Sequence, residues 1–183
     1  TLALSGNGAL SGAAAMTATA GEAAFTGLSY AARVDGETFF MTADDTPAGD
    51  EGDLKGTFKS RLITANVAGT KLSFFKLPAD SGVRAPNTNV ISGKAFEIQP
   101  RIQALDGNNT LDTDFIGEVS LSVLSGAGAL SGALTAAAAG GTAGFAGVAY
   151  TVSGNTDGET FSLQAASAGF AGAASGNLRA DIV

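Results

Sequence analysis

The side chains of this 183-residue sequence that could do chemistry are mostly oxygens. It has no His and no Cys, which removes imidazole bases, thiol nucleophiles, disulfides and His/Cys zinc sites. Carboxylate, hydroxyl and Lys chemistry remain. The most ordered set is Asp106-x-Asn108-x-Thr110-x-Asp112, followed by Asp114. Alternate oxygen donors at that spacing resemble a loop that wraps Ca²⁺, a hard ion taking about 6–8 oxygens. The pattern departs from an EF-hand loop at Leu111, where a glycine is needed, and has no bidentate Glu at the twelfth position. An Asx-rich turn produces the same spacing without an ion. A second acidic set, Asp44, Asp45, Asp50, Glu51 and Asp53, falls in one loop and reads either as a cation site or as a solvated surface. Ser and Thr are plentiful, but no His can activate them and no spacing favours a Lys-assisted Ser or a carboxylate pair. No enzyme activity, cofactor or small-molecule substrate is expected.

The elements that must carry these residues follow from composition. Gly is abundant at 26 residues while Pro is only 4, the profile of short strands and turns rather than collagen or Pro-rich disorder. Phe, at 11, is the large core-former, and Trp is absent. A formal net charge of −7 and a pI near 4.4 argue against a general nucleic-acid binder, which needs a basic stripe. No run of about 18 apolar residues exists, so membrane insertion by a helix is not expected. Thr1 is not a start methionine, and the chain reads as a processed form, a fragment or a window of something longer.

An internal repeat organises the whole. Gly8-Ala9-Leu10-Ser11-Gly12-Ala13 recurs as Gly128-Ala129-Leu130-Ser131-Gly132-Ala133, and Phe25-x-Gly27-x-x-Tyr30 recurs as Phe145-x-Gly147-x-x-Tyr150, both at an offset of 120 (128 − 8 and 145 − 25). Asp35-Gly36-Glu37-Thr38-Phe39 recurs as Asp157-Gly158-Glu159-Thr160-Phe161 at 122 (157 − 35), and Ile63 aligns with Leu178 at 115 (178 − 63). Such a period is the size of a domain.

Alternation then predicts strands. In residues 1–68 these are Ala24–Ala32, a hairpin-type turn at Asp35-Gly36, Thr38–Ala43, and Arg61–Ala68 with Ile63, Ala65 and Val67 on one face. In residues 69–183 Lys71–Leu77 comes first, stopped by Pro78. Lys94–Leu105 follows, with Phe96, Ile98, Ile102 and Ala104 on one face and Pro100 marking an edge or a bulge. Ile116–Leu124 puts Val119, Leu121 and Val123 inward, and Asn177–Val183 puts Leu178, Ala180 and Ile182 on one face. The Ala136–Ala139 run is read as strand rather than helix, because Gly140-Gly141 truncates it. Seven or so strands in roughly 115 residues is the size of an immunoglobulin-like sandwich.

Phe145-x-Gly147-Val148-x-Tyr150, Phe161-x-Leu163-x-Ala165 and the last strand resemble bacterial immunoglobulin-like repeats, as do Ala24–Tyr30 and the Asp106-Gly107-Asn108-Asn109 turn before Phe115-Ile116-Gly117. Such repeats occur in surface adhesins, stalks, S-layer-associated proteins and some phage virion proteins. The resemblance implies an all-β fold of tandem immunoglobulin-like β-sandwich modules, the first one incomplete, spanning 1–68 and 69–183. It implies a non-enzymatic structural role at a bacterial surface, with copies of the chain or adjacent modules as partners. Virion structure and a Ca²⁺- or carbohydrate-binding module are the alternatives. One departure is Phe39 and Phe161, which stand where such repeats carry a Tyr able to make a corner hydrogen bond. The first module has no counterpart of Gly69–Glu118, which predicts an open apolar face containing Phe25, Leu28 and Phe39, covered by upstream strands or by a neighbouring subunit. Phe74 and Phe75 are expected to serve core or intermodule packing.

Overall fold

Residues 1–45, 58–80 and 89–183 are described by a computed structural model. Among them every regular element is a β-strand, as the alternation and the glycine-rich turns require. The chain divides into two units, Thr1–Val67 and Ala68–Val183.

The N-terminal unit contains β1 (Leu2–Leu4), β2 (Ala9–Ser11), β3 (Ser29–Ala31), β4 (Thr38–Phe39), β5 (Met41–Ala43), β6 (Phe58–Lys59) and β7 (Ile63–Thr64). They form a three-stranded sheet, β1-β5-β6, and two separate pairs, β2-β3 and β4-β7. The strand expected over Ala24–Ala32 is confined to its last residues, and Phe40 interrupts the one expected over Thr38–Ala43. Asp35-Gly36 is not a hairpin turn. It joins β3 to β4, which pair with different strands, and Asp35 Oδ1 accepts the N–H groups of Gly36 at 2.9 Å and Val67 at 2.8 Å.

The C-terminal unit contains β8 (Lys71–Lys76), β9 (Asn89–Ile91), β10 (Arg101–Leu105), β11 (Glu118–Ser125), β12 (Ala129–Ser131), β13 (Thr135–Ala139), β14 (Thr142–Gly144), β15 (Ala149–Thr151), β16 (Glu159–Ala166), β17 (Ala173–Ala174) and β18 (Leu178–Asp181). One sheet runs β8-β10-β14-β13-β11-β16-β18-β9, with β17 also on β16, and β12 pairs with β15. The sheet curls until β8 meets the segment leading into β17, where Leu72 N–H donates to Ala171 O and Ala171 N–H to Thr70 O, each at 2.9 Å. Curling of this kind protects an edge that would otherwise offer unpaired backbone groups. Inside it, Ile102, Val119, Leu121, Tyr150, Phe161, Leu163, Leu178 and their neighbours make one buried cluster.

Two expectations for this unit are corrected. Ile98 is exposed although Phe96 and Pro100 at the same parity are buried: it lies ahead of β10, which begins only at Arg101, and its backbone is bridged to Ala79. A bulge against β8 follows immediately, between Arg101 and Ile102, and β10 is an interior strand, so Pro100 marks a bulge and not an edge. Ile182 is also exposed, since β18 stops at Asp181 and the Ile182 N–H turns to Asp157 Oδ1 at 2.8 Å. The Ala-rich run is strand β13, and it turns into β14 through Gly140 (φ 57°) and Gly141 (φ 74°). Positive φ at both central residues is the type I′ geometry that matches strand twist.

The two units share several strand registers. Ala9, Leu10 and Ser11 pair with Ala31, Tyr30 and Ser29; Ala129, Leu130 and Ser131 pair with Thr151, Tyr150 and Ala149. Phe39 faces Ile63 as Phe161 faces Leu178, and Thr42 faces Lys59 as Gln164 faces Ala174. Leu2 faces Ala43 as Leu121 faces Ala165, the register shift between Val123 and Ser125 absorbing one extra residue in the second copy. Ser60 Oγ accepts from Met41 N–H at 3.0 Å, and Ser175 Oγ from Leu163 N–H at 2.8 Å. The β13–β14 hairpin survives in the first copy only as a Thr19–Glu22 bridge around Ala20 (φ 53°) and Gly21 (φ 82°). Among the described residues, β8, β9 and β10 have no counterpart there.

Candidate functional site

The repeated glycine text, the tyrosine and the Asp-Gly-Glu corner come together in each unit. In the C-terminal unit Tyr150 lies flat on Phe161, ring centroids 3.8 Å apart and 6° from parallel. Its hydroxyl donates to Glu159 Oε1 at 2.6 Å and accepts from Gly128 N–H at 2.9 Å. Glu159 Oε1 also accepts from Ala127 and Gly128, at 2.8 and 2.9 Å, and Oε2 from Ser153 at 2.9 Å. Only glycine fits at 128, since a Cβ there would meet Thr151 O and the Tyr150 ring. Burial, reinforced by the adjacent carboxylate, pushes the Tyr150 hydroxyl up to about 12. The Tyr150 hydroxyl and then the Ser153, Ala127 and Gly128 N–H groups hold Glu159 down at about 2.

The N-terminal unit has the same corner. Tyr30 stacks on Phe39 at 3.9 Å and accepts from Gly8 N–H at 2.9 Å. Glu37 Oε1 accepts from Asn7 and Gly8 at 2.7 and 3.1 Å, and Oε2 from Arg33 at 3.0 Å. The Arg33 N–H, with the Tyr30 hydroxyl and the Asn7 and Gly8 N–H groups, lowers the Glu37 carboxyl, and burial raises Tyr30. The Tyr corner therefore exists, built by Tyr30 and Tyr150, and Phe39 and Phe161 are the rings beneath it. In each unit these hydrogen bonds tie the glycine loop and the Asp-Gly-Glu corner to the tyrosine-bearing strand.

What separates the units is cover. Phe145, Val148 and Tyr150 are buried, whereas their counterparts Phe25, Leu28 and Tyr30 are only half-buried. In the C-terminal unit residues 93–99 lie along β15. Gly93 N–H donates to Tyr150 O and Phe96 N–H to Val148 O, each at 2.9 Å, and the Gln99 amide accepts Val148 N–H and donates to Val148 O, at 2.9 and 3.2 Å. Leu28 has no such partner among the described residues. A groove of about 760 Å³, lined by Ala15, Met16, Ala23, Phe25 and Ala43, opens in the N-terminal unit.

Phe25 and Leu28 are half-buried, whereas Phe39, expected on the same open face, is buried beneath Tyr30. Phe74 packs against the C-terminal core while Phe75, one residue on, is exposed on the other face of β8. Asp106 and Asn108 form an Asx turn, Asp106 Oδ1 accepting the Asn108 and Thr110 N–H groups at 2.8 Å each. Asp112 is buried and accepts Gly69 N–H at 2.7 Å and Phe115 N–H at 2.9 Å. Asp114 is exposed, its carboxylate within 4.8 Å of that of Asp112. Asp44 holds Asp45 N–H at 3.0 Å, and Asp50, Glu51 and Asp53 lie outside the described residues.

Sequence reasoning missed Glu37 and Glu159, although both stand in the repeated Asp-Gly-Glu-Thr-Phe. It also missed Gln99 and Asp80. Asp80 is buried and clamps residues 91 and 97 through their N–H groups, each at 2.7 Å. No described helix is long and apolar enough to cross a membrane. No protein-family model and no curated protein matches the chain.

Proposed function

We propose that the chain is a non-enzymatic structural protein of immunoglobulin-like modules at a bacterial surface, working as a stalk, filament or lattice element. The observation that carries this is a pair of units sharing the same Tyr–Glu corner and strand registers, one with Phe145 and Val148 buried and the other with Phe25 and Leu28 half-buried. A module repeated in this way is a building block, and an open strand edge beside half-buried Phe25 and Leu28 is a contact surface. Every carboxylate of the corners is spent on backbone N–H groups, which supports a load-holding role over chemistry at those positions. Mechanism here is spacing: each corner pins the turn entering β2 or β12 to β3 or β15, so that modules keep their form while strands join them. Immunolabelling of intact cells and electron microscopy of the native material test the role. Surface label with periodic fibres or sheets is the expected result, and a dispersed monomer with no surface label would count against it.

A further inference from the structure

We propose that the groove of the N-terminal unit is the seat of an extended partner segment with the residue pattern that residues 69–119 supply to the C-terminal unit. This rests on the structural reading above and names the partner of its open face.

The repeat itself says what covers the groove. Ala23, Phe25 and Ala43 line it; their counterparts are Ala143, Phe145 and Ala165, all buried. Ala143 faces Ile102 of β10 in register, and Phe145 N–H donates to Pro100 O at 3.3 Å. The groove is therefore the place that β10 fills in the C-terminal unit. Beside it, the edge at Leu28 and Tyr30 corresponds to the edge at Val148 and Tyr150 that residues 93–99 occupy. The occupant must be extended, must present an aliphatic residue where Ile102 stands and an aromatic where Phe96 stands, and must offer backbone groups to both edges. In the C-terminal unit β10 leads through the turn at Asp106 and residues 107–117 into β11, whose Leu121 is the counterpart of Leu2. A second copy of the chain is a poor donor. Its own Val90, Phe96 and Ile102 are fully or nearly fully buried, and giving them up would unmake its C-terminal unit.

The test fuses a second copy of residues 69–119 directly to Thr1 of the full chain, with a control fusion in which the copied Val90, Phe96 and Ile102 are replaced by Asp. Hydrogen exchange is read over residues 22–31, with residues 118–125 reporting the C-terminal unit. About tenfold or greater slowing at 22–31 in the fusion, absent from the control, is the expected result. A second arm titrates a synthetic peptide of residues 94–106 into the unmodified chain and reads amide shifts at Ala23, Phe25 and Leu28. Saturable shifts there support the seat even if the fusion fails to fold. No slowing and no shifts overturn it. Slowing at 22–31 in the unmodified chain that grows with concentration and accompanies dimers also overturns it, by making a second copy the occupant. Arrays at the surface with no occupant in the groove remove only the seat, whereas a protected groove without arrays removes only the surface role, so the two failures are distinguishable.

Discussion

At the scale of single residues, the Tyr–Glu corner makes the sharpest demands. Tyr150→Phe removes a buried hydroxyl that donates to Glu159 and accepts from Gly128 N–H, a net loss of about 1 kcal/mol. Urea unfolding should show it, with a smaller loss for Tyr30→Phe, whose surroundings admit more water. The titrations have opposite signs. Glu159 sits near 2 against an ordinary 4.5, so its contribution is complete above about pH 4.5 and is lost as pH falls from there toward 2. Tyr150 sits near 12 against an ordinary 10, so its contribution is complete below about pH 10 and is lost as pH rises toward 12. Urea midpoints measured across both limbs should fall at each end, and Glu159→Gln should flatten the acid limb of the C-terminal unit. An acid limb unchanged in that variant would assign the fall to other carboxylates. Phe145→Ala should cost about 3–5 kcal/mol, as a buried aromatic does. The matching Phe25→Ala should cost clearly less, and equal losses would mean that the N-terminal face is covered after all.

At the scale of elements, turns decide what was legible in advance. The type I′ turn at Gly140-Gly141 is matched by Ala20-Gly21, where an alanine holds φ 53°. A non-glycine residue in that region carries a cost of about 1–2 kcal/mol. Ala20→Gly should therefore stabilise the N-terminal unit by about 1 kcal/mol; a lower melting temperature would show that the bridge at Thr19–Glu22 does not hold the turn in that form. The strands were readable wherever alternation ran unbroken, as in Val119, Leu121 and Val123. They were misread where a nonlocal partner set the ending, as at Ile98 and Ile182. Asp35-Gly36 misled for a related reason. Asp-Gly favours the same backbone in a hairpin and in a corner between sheets, and only the distant β7 decides which one forms. The oxygen-rich Asp106–Asp112 text carried a real signal, for an Asx turn that caps its own backbone. Glu37 and Glu159 went unread because a carboxylate facing N–H donors from two separate loops leaves no local pattern.

At the scale of the whole chain, the two units share corners, registers and turns but not a core of the same completeness. Stability within a protein follows buried apolar contact and protected backbone pairing, so opening free energies should differ between them. The C-terminal unit buries Phe161, Leu163 and Leu178 under a continuous sheet, whereas the N-terminal unit divides its strands among separate small sheets and leaves Met16 and Phe58 exposed. Short two-stranded pairs are marginal on their own in water. Hydrogen exchange along a urea series should therefore release residues 1–45 well before residues 118–181. Amides of β11 and β16 should open only in the last, global step. Simultaneous release would mean that the N-terminal unit draws its stability from something other than its own strands, and the open groove would then no longer need a partner to be stable.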